Sequence, residues 1–110
     1  MANVTEPAPA LNAEGLPPEL GELCEAVTEL RSAAEAAAFL RDLCTIAELR
    51  AMSGRWQVVL LLDQGLHYLE IARRTGASTA TISRVSNWLR YGSGGYRTLL
   101  DRRRPAARRV

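Results

Sequence analysis

The chain has 110 residues, about one domain's worth, and its 47% apolar content supplies a real core. No apolar run exceeds five residues, as in Val58 to Leu62, against the roughly 20 needed to cross a bilayer. The net charge of +2 hides a polarity: residues 1–66 carry ten acids and four arginines, residues 67–110 ten arginines and only Glu70 and Asp101. A basic half of this kind suits approach to a polyanion, but a solvated face would look the same.

Residues 1–17 (MANVTEPAPALNAEGLP) have no apolar period and read as a disordered arm. They contain neither a basic start nor a continuous apolar segment, so no secretory signal is expected. Beyond Pro18, Leu20, Leu23, Ala26, Val27 and Leu30 recur at three and four residues and mark an amphipathic helix. Ser32 with Glu35 has capping-box spacing, predicting a second helix from Ala33 to Leu43 with Ala36, Ala37, Phe39, Leu40 and Leu43 on its apolar face.

Thr45 with Glu48 repeats the capping-box spacing and opens a third helix, which should stop at Gly65. Its turn from Val58 to Leu62 is apolar nearly all round, which predicts burial on several sides, either in a core shared with a second copy or by neighbouring helices of the same chain. No stretch alternates with period two between turn signals. The fold class is all-α.

The segment YLEIARRTGASTATISRVSNW, residues 68–88, reads as a helix-turn-helix, with the unit extending to about residue 91. Ala72 is small where two helices must touch. Gly76 falls where the chain needs a positive φ. Ser78 is an N-cap for the second helix, and Ile82, Val85 and Leu89 point inward. At about 100° per residue the opposite face carries Ala80, Ser83, Arg84 and Asn87, with Thr79 at its edge and Thr81 beside it. These groups are small or hydrogen-bonding, and none is a carboxylate, which suits entry into a major groove. Arg73 and Arg74 on the first helix, and the amides at Ser78, are candidates for phosphate contact. A short sixth helix from about Tyr96 to Arg103 precedes a tail, residues 104–110, whose arginines favour non-specific phosphate attraction.

Asp42 to Arg102 resembles the Trp-repressor-like bacterial proteins of the YerC/YecD type. DLCT at 42–45, GASTATISRV at 76–85, LRYG at 89–92 and LLDR at 99–102 carry the likeness, over more than half the chain. The resemblance implies a six-helix fold, an intertwined homodimer, and a helix-turn-helix as its fourth and fifth helices, within a helical domain at 18–103. It implies a cytoplasmic, nucleoid-associated regulator acting on double-stranded DNA. The Trp repressor itself needs tryptophan, and Thr45, Arg55 and Arg84 match positions that line its ligand pocket. Val85 stands where that repressor has glycine, and Trp88 where it has a pocket serine. These larger groups are expected to fill or block the indole space, with Trp88 stacked near Arg55 or Arg84.

The function expected is therefore a sequence-specific DNA-binding regulator, a repressor, independent of tryptophan. Two other functions stay open: a regulator of the same fold that senses another small metabolite, and a helical adaptor that is only tethered to DNA. Cys24, Cys44 and His67 have no ligand or triad spacing, so no metal, cofactor or catalytic residue is expected, and an enzyme is the least favoured class.

Overall fold

The computed structural model describes residues 16–104; the expected arm (1–17) and arginine-rich tail (104–110) fall almost wholly outside the described residues. Among the described residues there are six helices and no strand: α1 Leu20–Thr28, α2 Ala33–Leu43, α3 Ile46–Asp63, α4 Tyr68–Thr75, α5 Thr79–Tyr91 and α6 Gly95–Arg103. The all-α expectation holds. The chain divides into two compact units between Cys44 and Thr45.

The first unit holds α1 and α2. Ser32 caps α2 by accepting the Glu35 amide at 3.1 Å. The Glu35 carboxylate reaches one residue further than a capping box requires, accepting from the Arg31 amide at 2.9 Å instead of from Ser32. Neither helix buries a single residue. Leu20, Leu23, Ala26, Ala36, Phe39 and Leu40 are half-buried, whereas Ala37 and Leu43, expected on the apolar face, are exposed. Helices this short gain most of their stability from burying such a face, so these faces lack a partner within their own unit.

The second unit is organised by α3. Thr45 and Glu48 form a complete capping box: the Thr45 amide donates to the Glu48 carboxylate at 2.8 Å, and the Glu48 amide donates to Thr45 Oγ1 at 3.0 Å. At the other end Gly65, with φ of 86°, turns the chain away from the helix. Val58 and Val59 on α3 are fully buried with Ile71 of α4, Ile82 and Val85 of α5, and Leu100 of α6. Adjacent helical residues point about 100° apart, so burying both valines requires neighbours on two sides, and α4, α5 and α6 all pack on α3.

The link between α4 and α5 is Gly76-Ala77-Ser78. Gly76 takes φ of 76°, a left-handed conformation that a Cβ penalises. Thr75 braces the corner, its hydroxyl donating to the Ile71 carbonyl at 2.8 Å and accepting from the Ala77 amide at 3.1 Å. Ser78 caps α5 through the Thr81 amide at 3.1 Å. At the far end, Arg104 pairs with Asp63 at the end of α3 and with Asp101 at 2.7 Å, while Arg103 lies over the Trp56 ring at 5.8 Å.

Space around Gly76 is open, with nothing within 4 Å of where a Cβ would stand. A substitution there therefore costs backbone strain alone. Gly76→Ala is expected to destabilise the fold by about 1–2 kcal/mol and Gly76→Asn by less. Denaturant unfolding measures both, and equal losses for Ala and Asn would contradict the strain argument.

Candidate nucleic-acid interface

Two inward rows decide which way α5 faces. Ile82 and Val85 are sealed in the core and Leu89 is half-buried, so the opposite side of the helix is open. Thr79, Ala80, Ser83, Arg84 and Asn87 are all exposed there, and Thr81 is half-buried at the edge. Ser78 is exposed, but its hydroxyl is engaged in the cap, accepting from the Thr81 amide and donating to Thr81 Oγ1 at 3.1 Å. The remaining free amides of the first turn carry the positive end of the helix dipole toward the same end of the surface. Among the described residues Arg84 enters no ion pair.

The arginines of α4 behave differently. Arg73 Nε donates to Glu70 Oε1 at 3.1 Å, its Nη2 donates to Oε2, and Arg74 Nε donates to the same Oε2 at 2.7 Å. Hydrogen bonds from Arg73 and then Arg74 hold the Glu70 carboxyl down at a pKa of about 2, against an ordinary 4.5. In return the carboxylate raises the Arg73 pKa. Glu70 was not among the residues singled out from sequence, although its i,i+3 and i,i+4 spacing to two arginines was readable.

The second flank of α5 lines a cavity of about 500 Å³. Thr81, Arg84, Val85 and Trp88 form one wall, and Arg50, Ala51, Gly54 and Arg55 of α3 face them, with Thr75, Gly76 and Ala77 closing one end. Three guanidiniums and no carboxylate line it. Four of the five residues assigned to a ligand pocket, Arg55, Arg84, Val85 and Trp88, thus meet. Thr45 does not: it lies ten residues from Arg55 along the same helix, roughly 15 Å at about 1.5 Å per residue, and its hydroxyl caps α3. Arg50 joins the site without having been foreseen.

Trp88 does not plug this space. It is 58% exposed and forms a wall, and it also borders a second cavity of about 490 Å³ with Arg55, Gly92, Tyr96 and Leu99. The cation–π contact among the described residues belongs to Arg103 over Trp56, so the expected stacking of Trp88 on Arg55 or Arg84 is absent. Trp88 lies beside Gly92, where a Cβ would crowd the Trp88 carbonyl and stand 3.2 Å from ring carbon Cε3.

Residues 18–104 match the Trp repressor protein family. The chain is also 43% identical over 84 residues to the uncharacterized protein YerC of Bacillus subtilis, across 76% of this chain and 81% of that one. The chain belongs to the Trp repressor family. Two solved structures share its fold. A TrpR-like protein from Eubacterium eligens superposes with a TM-score of 0.73 at 39% identity, covering 86% of this chain and 94% of that one. A candidate Trp repressor from Staphylococcus aureus gives 0.75 at 40% identity, covering 82% and 90%. Membership places the protein with DNA-binding regulators and not with enzymes.

The lowered Glu70 pKa sets a pH window. Its stabilising pairs are fully present above the unfolded carboxyl value near 4.5 and are lost as pH falls through about 2. Carbon-detected titration of the Glu70 carboxyl is expected to give a midpoint near 2. An ordinary midpoint would show that the two arginines do not hold it in solution.

Proposed function

We propose that the protein is a homodimeric, sequence-specific DNA-binding repressor that works on the nucleoid in the cytoplasm and without free tryptophan. The observation that carries this reading is the exposed face of α5. It presents Thr79, Ala80, Ser83, Arg84 and Asn87 with no carboxylate among them, on a helix fixed from behind by Ile82 and Val85. Arg84 is free to bind a guanine edge with two hydrogen bonds, Asn87 to reach an adenine edge, and the small Ala80 lets the helix approach closely. Arg73, Arg74 and the amides following Ser78 serve as phosphate contacts that fix its register. Among the described residues no helix is long and apolar enough to cross a membrane.

The unpartnered apolar faces of the first unit support a dimer. Neither α1 nor α2 buries a residue, and Leu43 of α2 remains 51% exposed. Surface of this kind calls for a partner, and a second copy brings the same apolar segments in a closed two-fold arrangement. Two α5 helices would then enter successive major grooves about 34 Å apart.

Independence from tryptophan rests on the cavity wall. The family resemblance puts glycine and serine where this chain has Val85 and Trp88, and both larger side chains border the cavity. The cavity nonetheless stays open at about 500 Å³, lined by Arg50, Arg55 and Arg84. That open, cationic space favours a second reading, in which a small anionic metabolite other than tryptophan modulates the same DNA-binding surface.

Arg84→Ala is expected to weaken binding to a selected duplex by about 1–3 kcal/mol, roughly five- to 150-fold, and to relax preference at one base pair per half-site. Unchanged affinity in a fluorescence-anisotropy titration would remove Arg84 from the interface. Isothermal titration is expected to detect no tryptophan binding at micromolar concentration, and a clear isotherm coupled to tighter DNA binding would sink the tryptophan-independent reading.

A further inference from the structure

Glu70 is the single acid between Asp63 and Asp101, and it is placed among the groups proposed to meet phosphate. Its side chain is 33% exposed, while those of Arg73 and Arg74 are 71% and 52% exposed. The acid is therefore tucked behind the two cations, engaging Nε and Nη2 of Arg73 and Nε of Arg74. A phosphate oxygen would use these same donors.

We propose that Glu70 is a specificity-determining residue, which weakens the grip of Arg73 and Arg74 on random duplex while orienting them for the register that α5 selects. This inference rests on the proposal that both arginines meet the DNA backbone. Non-specific affinity follows the number of phosphates neutralised. With Glu70 in place, two guanidiniums present the net charge of one. On random sequence nothing fixes the register, and a phosphate must compete with a bound carboxylate. At a selected site the base contacts of α5 hold the register, and guanidiniums already immobilised by Glu70 lose little further side-chain freedom on meeting phosphate. The carboxylate thus lowers random binding more than selected binding.

An ordinary helix-surface ion pair is the competing explanation, since i,i+3 and i,i+4 pairs add modestly to helix stability. That role would change the melting temperature and leave the salt dependence of DNA binding alone. The decisive experiment is anisotropy titration of the full chain against a selected duplex and a random duplex of equal length, across a salt series, with folding checked by circular dichroism. For Glu70→Gln, random-duplex affinity is expected to rise roughly threefold or more per subunit, and the log–log salt slope to steepen by about 0.9 per subunit. Selected-duplex affinity changes less, so the specificity ratio falls. In an Arg73→Gln, Arg74→Gln background the effect of Glu70→Gln disappears. Glu70→Ala, which removes the same charge in a residue that favours the helix, is expected to steepen the slope equally, a test that does not depend on Glu70→Gln folding well.

A folded Glu70→Gln or Glu70→Ala protein with unchanged slope and ratio overturns the inference. Binding left unchanged by removing both arginines overturns it too. If the wild-type chain binds neither duplex, the DNA-binding proposal itself fails.

Discussion

Val58 and Val59 sit side by side on α3, and both are wholly removed from solvent. One helix can bury two successive side chains only if other helices cover it from two directions. In this chain α4 and α5 bring Ile71, Ile82 and Val85, and α6 brings Leu100. The orientation of α5 follows from that requirement. With Ile82 and Val85 committed to the valines, the helix has no rotational freedom left, and the polar residues between them must face outward. Gly76, at φ of 76°, makes this docking possible within a three-residue link. Loss of the valine contact would release both the core and the direction in which Arg84 points.

Charge is arranged around that frame with some economy. The segment beyond Asp63 carries two acids, and each is paired: Glu70 with Arg73 and Arg74, and Asp101 with Arg104, which also reaches Asp63. Arg84 is left without an ion pair among the described residues, on the face of α5 that is open. The same guanidinium borders the cavity between α3 and α5. The two flanks of α5 therefore share a residue, so under the proposed function an occupant of the cavity would touch the side chain proposed to read a base.

Much of this was legible in the sequence because local rules and tertiary packing agree. The apolar spacing in residues 68–88, the glycine at the turn and the cap at Ser78 each have one physical solution, and α4 and α5 adopt it. Thr45 and Glu48 form the capping box that their spacing announces. At Ser32 the same spacing was less decisive, because the Glu35 carboxylate can reach either of two adjacent amides and takes that of Arg31. Ala37 and Leu43 fit the helix period yet remain exposed, since periodicity identifies a face without saying whether its cover lies in the same chain. Trp88 shows the limit most clearly. Side-chain volume suggested a plug, but volume does not say which way an indole turns, and Trp88 stands in the cavity wall, 58% exposed. Glu70 was a different case, readable from spacing alone and overlooked beside the arginines it binds.

The central claim is that two copies of α5 read successive major grooves. Interference mapping on a selected duplex, with methylation at guanine N7 in the major groove and adenine N3 in the minor groove, tests it directly. The account predicts two tracts of guanine N7 interference on one face of the duplex, with centres about 10 base pairs apart. Interference confined to adenine N3, or one tract with no second, would contradict it.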